Sequence, residues 1–441
     1  MIAEWLPPGP GMLLVFGLLL VIRVPVAFAL ALSAGLAMWR IGFGLEMAGD
    51  LFVAGVEKYS LLAIPFFILA GALMGSLGIA RRLIDFFRSL IGNAPGGMGL
   101  VGTVMCLFWG AVSGSGPASV AAIGPLVIRS MEEDGYGKAF AAGLVSAGAA
   151  LSIVIPPSIG LIIYGVIAEV SIAKMFIAAI IPGMVMGMML LATLPFDRDR
   201  ARRQRALRAL QAIDGSKRDE ASWPAAVLGS GRKAFWALLT PVVVLGGIYG
   251  GIVTPTEAAI VATVYTLFIG LFIYRDVRWP DVRKTLVEAA SASAFVMLIV
   301  AYASLFGWVI NVEDLIGRYS DLLIGHGGGP IAALITIMVI LLVAGMFVDA
   351  VTILLVSLPI FLPVARSFGW DPVWFGVVVI TNLAIGLITP PVGINLFVSA
   401  NITKLSIEKV AVGAIPFLVS SLAGLVILIV APGLSQWLVR W

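Results

Sequence analysis

One carboxylate stands alone in an apolar run. Asp349 sits in Leu341-Leu-Val-Ala-Gly-Met-Phe-Val-Asp-Ala-Val-Thr-Ile-Leu-Leu355. An ionised acid in such a run needs a cation, a proton or hydrogen bonds to offset its burial. Cation coordination, proton transfer and capping of a following half-helix are all open to it. A second polar island, Ser113-Gly-Ser-Gly-Pro-Ala-Ser119, offers hydroxyls, glycines and a proline inside another apolar run. An interrupted helix leaves carbonyls free at one half-helix end and N–H groups free at the next. Carbonyl and hydroxyl oxygens are hard ligands suited to Na⁺, and the N–H end suits a carboxylate. The alternative for this island is close packing of small residues. Ser113, Ser115, Ser119, Asp349, Thr352 and Thr389 are the candidate cation ligands, with Na⁺ the only metal expected. Pro156-Pro157 and Pro390-Pro391 predict two helix breaks. Ser158, Asn382 and Asn395 add neutral polar groups near them as candidate solute contacts.

Several other chemistries are excluded. Cys106 is the single cysteine and His326 the single histidine, so neither an internal disulfide nor a Cys/His metal cluster can form. No Gly-x-x-x-x-Gly-Lys loop occurs, so energy does not come from ATP bound in a P-loop. Glu257 follows Thr254 and Thr256, and reads as the acid of a capped helix start. Trp308, Trp437 and Trp441 read as interfacial anchors.

The positioning elements must be membrane helices. Of 441 residues, 61% are hydrophobic and 12% charged, and the mean hydropathy is +1.09. Lipid is therefore the main solvent, and the fold class is an all-α polytopic membrane protein. Fifty Gly and 24 Pro argue for broken and closely packed helices. Spans are expected near 10–22, 25–40, 51–79, 175–195, 234–252, 256–274, 285–310 and 410–431. Amphipathic stretches are expected at Arg81–Ile91 and Glu313–Ile324. The interrupted runs 97–131 and 330–366 read as re-entrant hairpins, and 138–169 and 372–402 as Pro-broken spans. The segment 196–233 is a basic connector, and the small net charge of +4 is topology information rather than nucleic-acid affinity. The positive-inside rule places that connector in the cytoplasm. With both hairpins re-entrant, Arg81, Arg82, Arg88, Arg275, Arg283 and Lys284 fall on the same side, and both termini on the periplasmic side. The start of the chain carries Glu4 and no basic residue before the first apolar run, so that run is expected to stay as a helix.

The two halves correspond. Setting Pro156-Pro157 on Pro390-Pro391, an offset of 234, also sets Pro125 on Pro359, Gly135 on Gly369 and Pro182 on Pro416. Ser115 falls on Asp349. Each half then has an odd number of crossings, which predicts two inverted repeats at 1–195 and 234–441. In secondary transporters the site lies where broken helices of the two halves meet.

These stretches resemble the large membrane subunit of tripartite ATP-independent periplasmic (TRAP) transporters. The resemblance rests on Ile64-Pro-Phe-Phe-Ile-Leu-Ala-Gly71, Gly110-Ala-Val-Ser-Gly-Ser-Gly116, Ile155-Pro-Pro-Ser158, Thr254-Pro-Thr-Glu-Ala258, Gly345-Met-Phe-Val-Asp349 and Gly386-Leu-Ile-Thr-Pro-Pro-Val-Gly393. Gly116-Pro117 departs from the family pattern at the first tip. The resemblance implies a Na⁺-coupled importer in the bacterial inner membrane, moving as an elevator with a transport part against a scaffold. It implies an organic-acid solute delivered by a periplasmic substrate-binding protein, and a small four-span membrane subunit as a separate partner. The runner-up is a stand-alone ion-coupled carrier or antiporter of similar architecture. A membrane enzyme lacks any catalytic constellation here, and inverted halves disfavour a permease half driven by a separate ATPase. No enzymatic activity and no cofactor beyond Na⁺ as coupling ion are expected.

Overall fold

Proline, glycine and charged residues divide the apolar sequence into helices, and the computed structural model describes residues 7–91, 97–197, 203, 223–275, 279–315 and 329–440. Among these residues the regular structure is entirely helical. Among the described residues, seven helices are long and apolar enough to cross a membrane.

The first group comprises α1 (Pro8–Val21), α2 (Val26–Ile41), α3 (Leu45–Val56), α4 (Ala63–Ser76) and α5 (Ile79–Ile91). Next come α6 (Gly97–Ser113), α7 (Gly116–Glu133), α8 (Lys138–Ala150), α9 (Ile159–Ala168) and α10 (Ile172–Leu191). After the connector follow α11 (Trp223–Tyr249), α12 (Pro255–Phe268), α13 (Trp279–Val312), α14 (Gly329–Gly345) and α15 (Ala350–Ser367). The last large helices are α16 (Pro372–Gly386), α17 (Ile394–Thr403) and α18 (Ile407–Val430).

Three boundaries differ from those read in the sequence. The run 51–79 is not one span: α3 ends before Glu57-Lys58, and a 3₁₀ turn at Tyr59–Leu62 starts the next helix. α11 begins at Trp223, inside the stretch read as connector. α13 is 34 residues long and extends past 285–310 at both ends. Of the hairpin arms, α15 alone is among these seven helices. Its 18 residues qualify by length and hydropathy, though they rise only about 27 Å against a hydrocarbon core of about 30 Å. Most of the connector, most of Glu313–Ile324, His326 and Trp441 lie outside the described residues.

Two packed groups result. α1–α5 pack with α11–α13, with α13 lying against α2, α3 and α4. The hairpins α6–α7 and α14–α15 pack with α8, α9, α10, α16, α17 and α18. At the centre, α8 is buried from Phe140 to Ala150 and α16 from Trp374 to Gly386, as expected for helices apolar on all sides. Their hydroxyls bond back along the helix, Ser146 to Ala142 O at 2.8 Å and Thr381 to Val377 O at 2.8 Å. No unsatisfied hydroxyl therefore faces apolar neighbours there. α8 meets α18 backbone to backbone: a Cβ added at Gly413 would lie 2.1 Å from the carbonyl oxygen of Ala139.

The outer faces remain apolar. Leu14, Leu18, Val242, Val264, Val419 and Val430 are exposed. In a bilayer those side chains contact lipid rather than water. Where α12 starts, Thr254 caps the helix and Glu257 reaches back to the Thr254 N–H at 2.7 Å, completing a capping box. The capping role read for Glu257 is thus observed, with Thr254 rather than Thr256 as the cap.

Candidate functional site

Each hairpin turns where small or acidic residues make turning inexpensive. In the first, α6 stops at Ser113, Gly114 adopts φ +61°, and Ser115 precedes α7 in an extended conformation. A Cβ at Gly114 would be 3.2 Å from the N of Ile159, so glycine serves both the left-handed turn and the close approach to α9. The Ser113 hydroxyl reaches the Ser115 carbonyl at 3.3 Å. The Ser119 hydroxyl donates to the same carbonyl at 2.7 Å and pairs with Ser152 Oγ at 2.8 Å.

In the second hairpin, Asp349 caps α15. Its Oδ1 accepts from the Thr352 N–H at 3.1 Å, and its Oδ2 accepts from the Thr352 hydroxyl. Of the three roles left open by the sequence, capping is therefore present. Both carboxylate oxygens retain further acceptor capacity for a cation.

The two breaks lie under the tips. Pro156-Pro157 and Pro390-Pro391 are both cis peptide bonds. After the first break, Ser158 caps α9: it accepts from Leu161 N at 3.4 Å and donates to the Ile153 carbonyl. After the second, the Gly393 N–H donates to Met346 O at 3.0 Å, joining the break to the second tip. Gly345 and Gly386 touch there, and a Cβ at Gly386 would lie 2.8 Å from the Gly345 Cα. The Thr389 hydroxyl is committed to Ile385 O at 2.7 Å.

Asn395 links the halves. Its Nδ2 donates to Ser146 O at 2.9 Å, and Ser146 Oγ pairs with Ser399 Oγ at 2.6 Å. Asn395 is buried, yet its Oδ1 has no partner. A Cβ built on Gly116, the first residue of α7, would be 3.1 Å from that oxygen. That buried oxygen beside the first tip keeps acceptor capacity for a donor or a hard cation.

A cavity of about 670 Å³ joins these parts. The first tip from Ser113 to Ala118 and the second from Asp349 to Val351 line one side, with Ile159 and Leu387 from the breaks. α4 and α13 line the other through Gly71, Gly75, Thr285, Glu288 and Ile299. Ser113, Ser115 and Asp349 thus share one cavity. Ser119, Ser158, Thr352, Thr389 and Asn395 are not among its lining residues. Asn382 is elsewhere: its amide donates to Met338 O at 2.8 Å and faces a groove between α14, α16 and α18.

Among the described residues, the charged side chains lining the cavity are Asp349 and Glu288, both acids. Ser146, Ser152, Ser399 and Glu288 were not singled out in the sequence. Serines at helix-contact positions are common in apolar runs, and Glu288 belongs to an exposed i,i+4 pair with Lys284 at 3.8 Å. Among the described residues no cluster of three or more His, Cys, Asp or Glu side chains could hold a metal.

Two helical hairpins and two Pro-broken helices around one central cavity define a membrane carrier. Residues 13–434 match the family described as "Tripartite ATP-independent periplasmic transporter, DctM component", and the chain belongs to it. It is 40% identical over 385 residues to the C4-dicarboxylate TRAP transporter large permease protein DctM of Pseudomonas aeruginosa, covering 87% of each chain. It is 38% identical to the isethionate TRAP transporter permease protein DctMQ of Oleidesulfovibrio alaskensis, covering 99% of this chain and 67% of that one. It is 34% identical to the sialic acid TRAP transporter permease protein SiaT of Haemophilus influenzae, covering 95% and 66%. The fold resembles the crystal structure of the Alcanivorax borkumensis YdaH transporter, with a TM-score of 0.63, 13% identity and 90% of each chain covered.

Proposed function

We propose that this chain is the large permease subunit of a Na⁺-coupled importer of an organic acid, in the bacterial inner membrane. A periplasmic binding protein delivers the solute, and a small four-span subunit packs beside the chain. The 196–233 connector is cytoplasmic and both termini are periplasmic. The hairpins, broken helices, α10 and α18 form a transport part that moves as an elevator against a scaffold of α1–α4 and α11–α13. The matched Pro-Pro breaks, and the matched positions of Ser115 and Asp349 before α7 and α15, support two inverted repeats.

The observation that carries the reading is the convergence of both tips on a cavity whose charged side chains are acids. A carboxylate solute is repelled by the Asp349 carboxylate unless a cation enters with it. Tip carbonyls, hydroxyls and Asp349 supply hard oxygens for Na⁺, and the N-termini of α7, α9 and α15 supply N–H groups for the solute's anion. Na⁺ entering first therefore makes solute binding favourable, which is coupling by linkage.

The test is uptake into proteoliposomes holding both membrane subunits, with the binding protein and solute outside and an imposed Na⁺ gradient. Accumulation that needs all three components and collapses without the gradient is expected. Robust uptake of free solute by the large subunit alone would replace this reading with a stand-alone carrier.

A further inference from the structure

Two cavities lie along one seam. The central cavity meets α9 at Ile159 and Gly160, α15 at Val351 and α13 at Ile299. A second cavity, of about 400 Å³, meets the same helices about one turn further on in α9 and α15, at Ile163, Val166 and Leu355, and at Val300 and Ala303 of α13. Ile163, Leu355, Ile299 and Val300 are buried and form the layer between the two. The second cavity opens at the end of the seam opposite Arg283 and Lys284, which begin α13.

Among the described residues, the one charged residue lining the second cavity is Lys58, at the unexpected break between α3 and α4. Its ammonium lies 3.5 Å from the carbonyl of Val166. That carbonyl is in the last turn of α9, where unpaired carbonyls concentrate partial negative charge. Ser304, Trp308 and Asn311 line the same wall. The Ser304 hydroxyl is already committed to Leu51 O at 2.6 Å, and the Asn311 amide to Gly307 O at 2.9 Å.

We infer that Lys58 receives the negative group of the incoming solute at the mouth opposite the basic loops. The inference rests on the organic-acid import reading. In this structure the ammonium is parked on a neutral carbonyl across the closed seam. When α9 moves away from α3, that acceptor is lost while the charge stays on the scaffold side. A carboxylate or sulfonate is the stronger replacement, because charge-assisted hydrogen bonds are roughly twice as strong as neutral ones. The Lys58 ammonium then meets the anion where it enters, one cavity before the Asp349 tip. Parking on Val166 also ties α9 to the scaffold, so an arriving anion that captures Lys58 favours opening on its own side.

The test uses the full-length chain with its small partner in proteoliposomes, on a Cys106→Ala background. Asn311→Cys and, separately, Ala54→Cys place a thiol on the second cavity. Each is modified from the side opposite the basic loops by anionic sulfonatoethyl and cationic trimethylammonioethyl methanethiosulfonate. The anion-to-cation rate ratio should fall about threefold to tenfold with Lys58→Gln and recover with Lys58→Arg. An unchanged ratio at both thiols, or no reaction at either, overturns the inference.

In the uptake assay, Lys58→Gln should raise the half-saturating concentration of solute-loaded binding protein about tenfold, with less than a twofold change in maximal rate. Lys58→Arg should restore it, and an unchanged half-saturating concentration overturns the assignment. These failures leave Na⁺-driven uptake by the unsubstituted complex intact. Loss of that uptake would instead defeat the import reading, while the thiol ratios would still report on Lys58.

Discussion

Asn395 Nδ2 donates to the carbonyl of Ser146 at 2.9 Å, joining the second broken helix to the first across 249 positions of sequence. The bond fixes α17 against α8 just behind both tips, while Asn395 Oδ1 faces the first residue of α7 without a partner. Asn395→Leu removes the donor and leaves Ser146 with fewer partners. We expect a loss of roughly 1–2 kcal/mol, read as a lower unfolding temperature in detergent. We also expect reduced Na⁺ affinity, since the orphaned oxygen disappears with the donor. An Asn395→Leu protein with unchanged melting and unchanged Na⁺ dependence would make this bond incidental.

Asp349 separates capping from cation binding. Asp349→Asn keeps an oxygen for the Thr352 N–H, so folding should change by less than about 0.5 kcal/mol. Removal of the charge should raise the Na⁺ concentration for half-maximal uptake severalfold. Asp349→Ala should add a cap loss of about 1 kcal/mol. Equal Na⁺ dependence in the native and Asn proteins would confine Asp349 to capping and leave the Ser113–Ser119 and Thr389–Asn395 segments as ligands.

Gly386 tests the contact between the second tip and its break. Ala at this position places a methyl 2.8 Å from the Gly345 Cα, a clash with backbone that no rotamer relieves. Overpacking of this kind costs roughly 1–3 kcal/mol, and uptake should fall at least tenfold. Gly17→Ala meets nothing within 4 Å and is the control, expected to behave as native.

Asp197 and Arg203 clasp the base of the first hairpin. Asp197 Oδ2 accepts from the Gly137 N–H at 2.8 Å, and its other oxygen pairs with Arg203. Arg203 Nε in turn donates to Gly135 O at 2.9 Å. Asp197→Ala should destabilise by about 1–2 kcal/mol and make the connector near Arg203 more sensitive to trypsin. Unaltered cleavage would show that the clasp does not hold the connector.

The hairpins and breaks were legible because their chemistry is local. Pro-Pro cannot continue a helix, and Ser-Gly-Ser-Gly or a lone Asp in an apolar run has few stable settings other than a helix end. The break at Glu57-Lys58 was not legible, because Leu45–Ser76 contains no proline until Pro65 and its apolar pattern continues on both sides. α3 packs along α13 up to that point, and such packing is not written in any short window. Asn382 lies apart from the tips for a similar reason. Its sequence distance from Pro390 suggested proximity to the break, but two turns of α16 carry it to the carbonyl of Met338. Ser146 and Ser399 acquire meaning only when α8 and α17 are side by side.

The most direct test of Na⁺ coupling at the paired tips is solute accumulation against external Na⁺ in proteoliposomes containing both membrane subunits and the binding protein. The account predicts accumulation that rises with Na⁺, vanishes when K⁺ replaces Na⁺ on both sides, and shifts to higher Na⁺ in Asp349→Asn. Accumulation that persists in K⁺ with no Na⁺ on either side would contradict it.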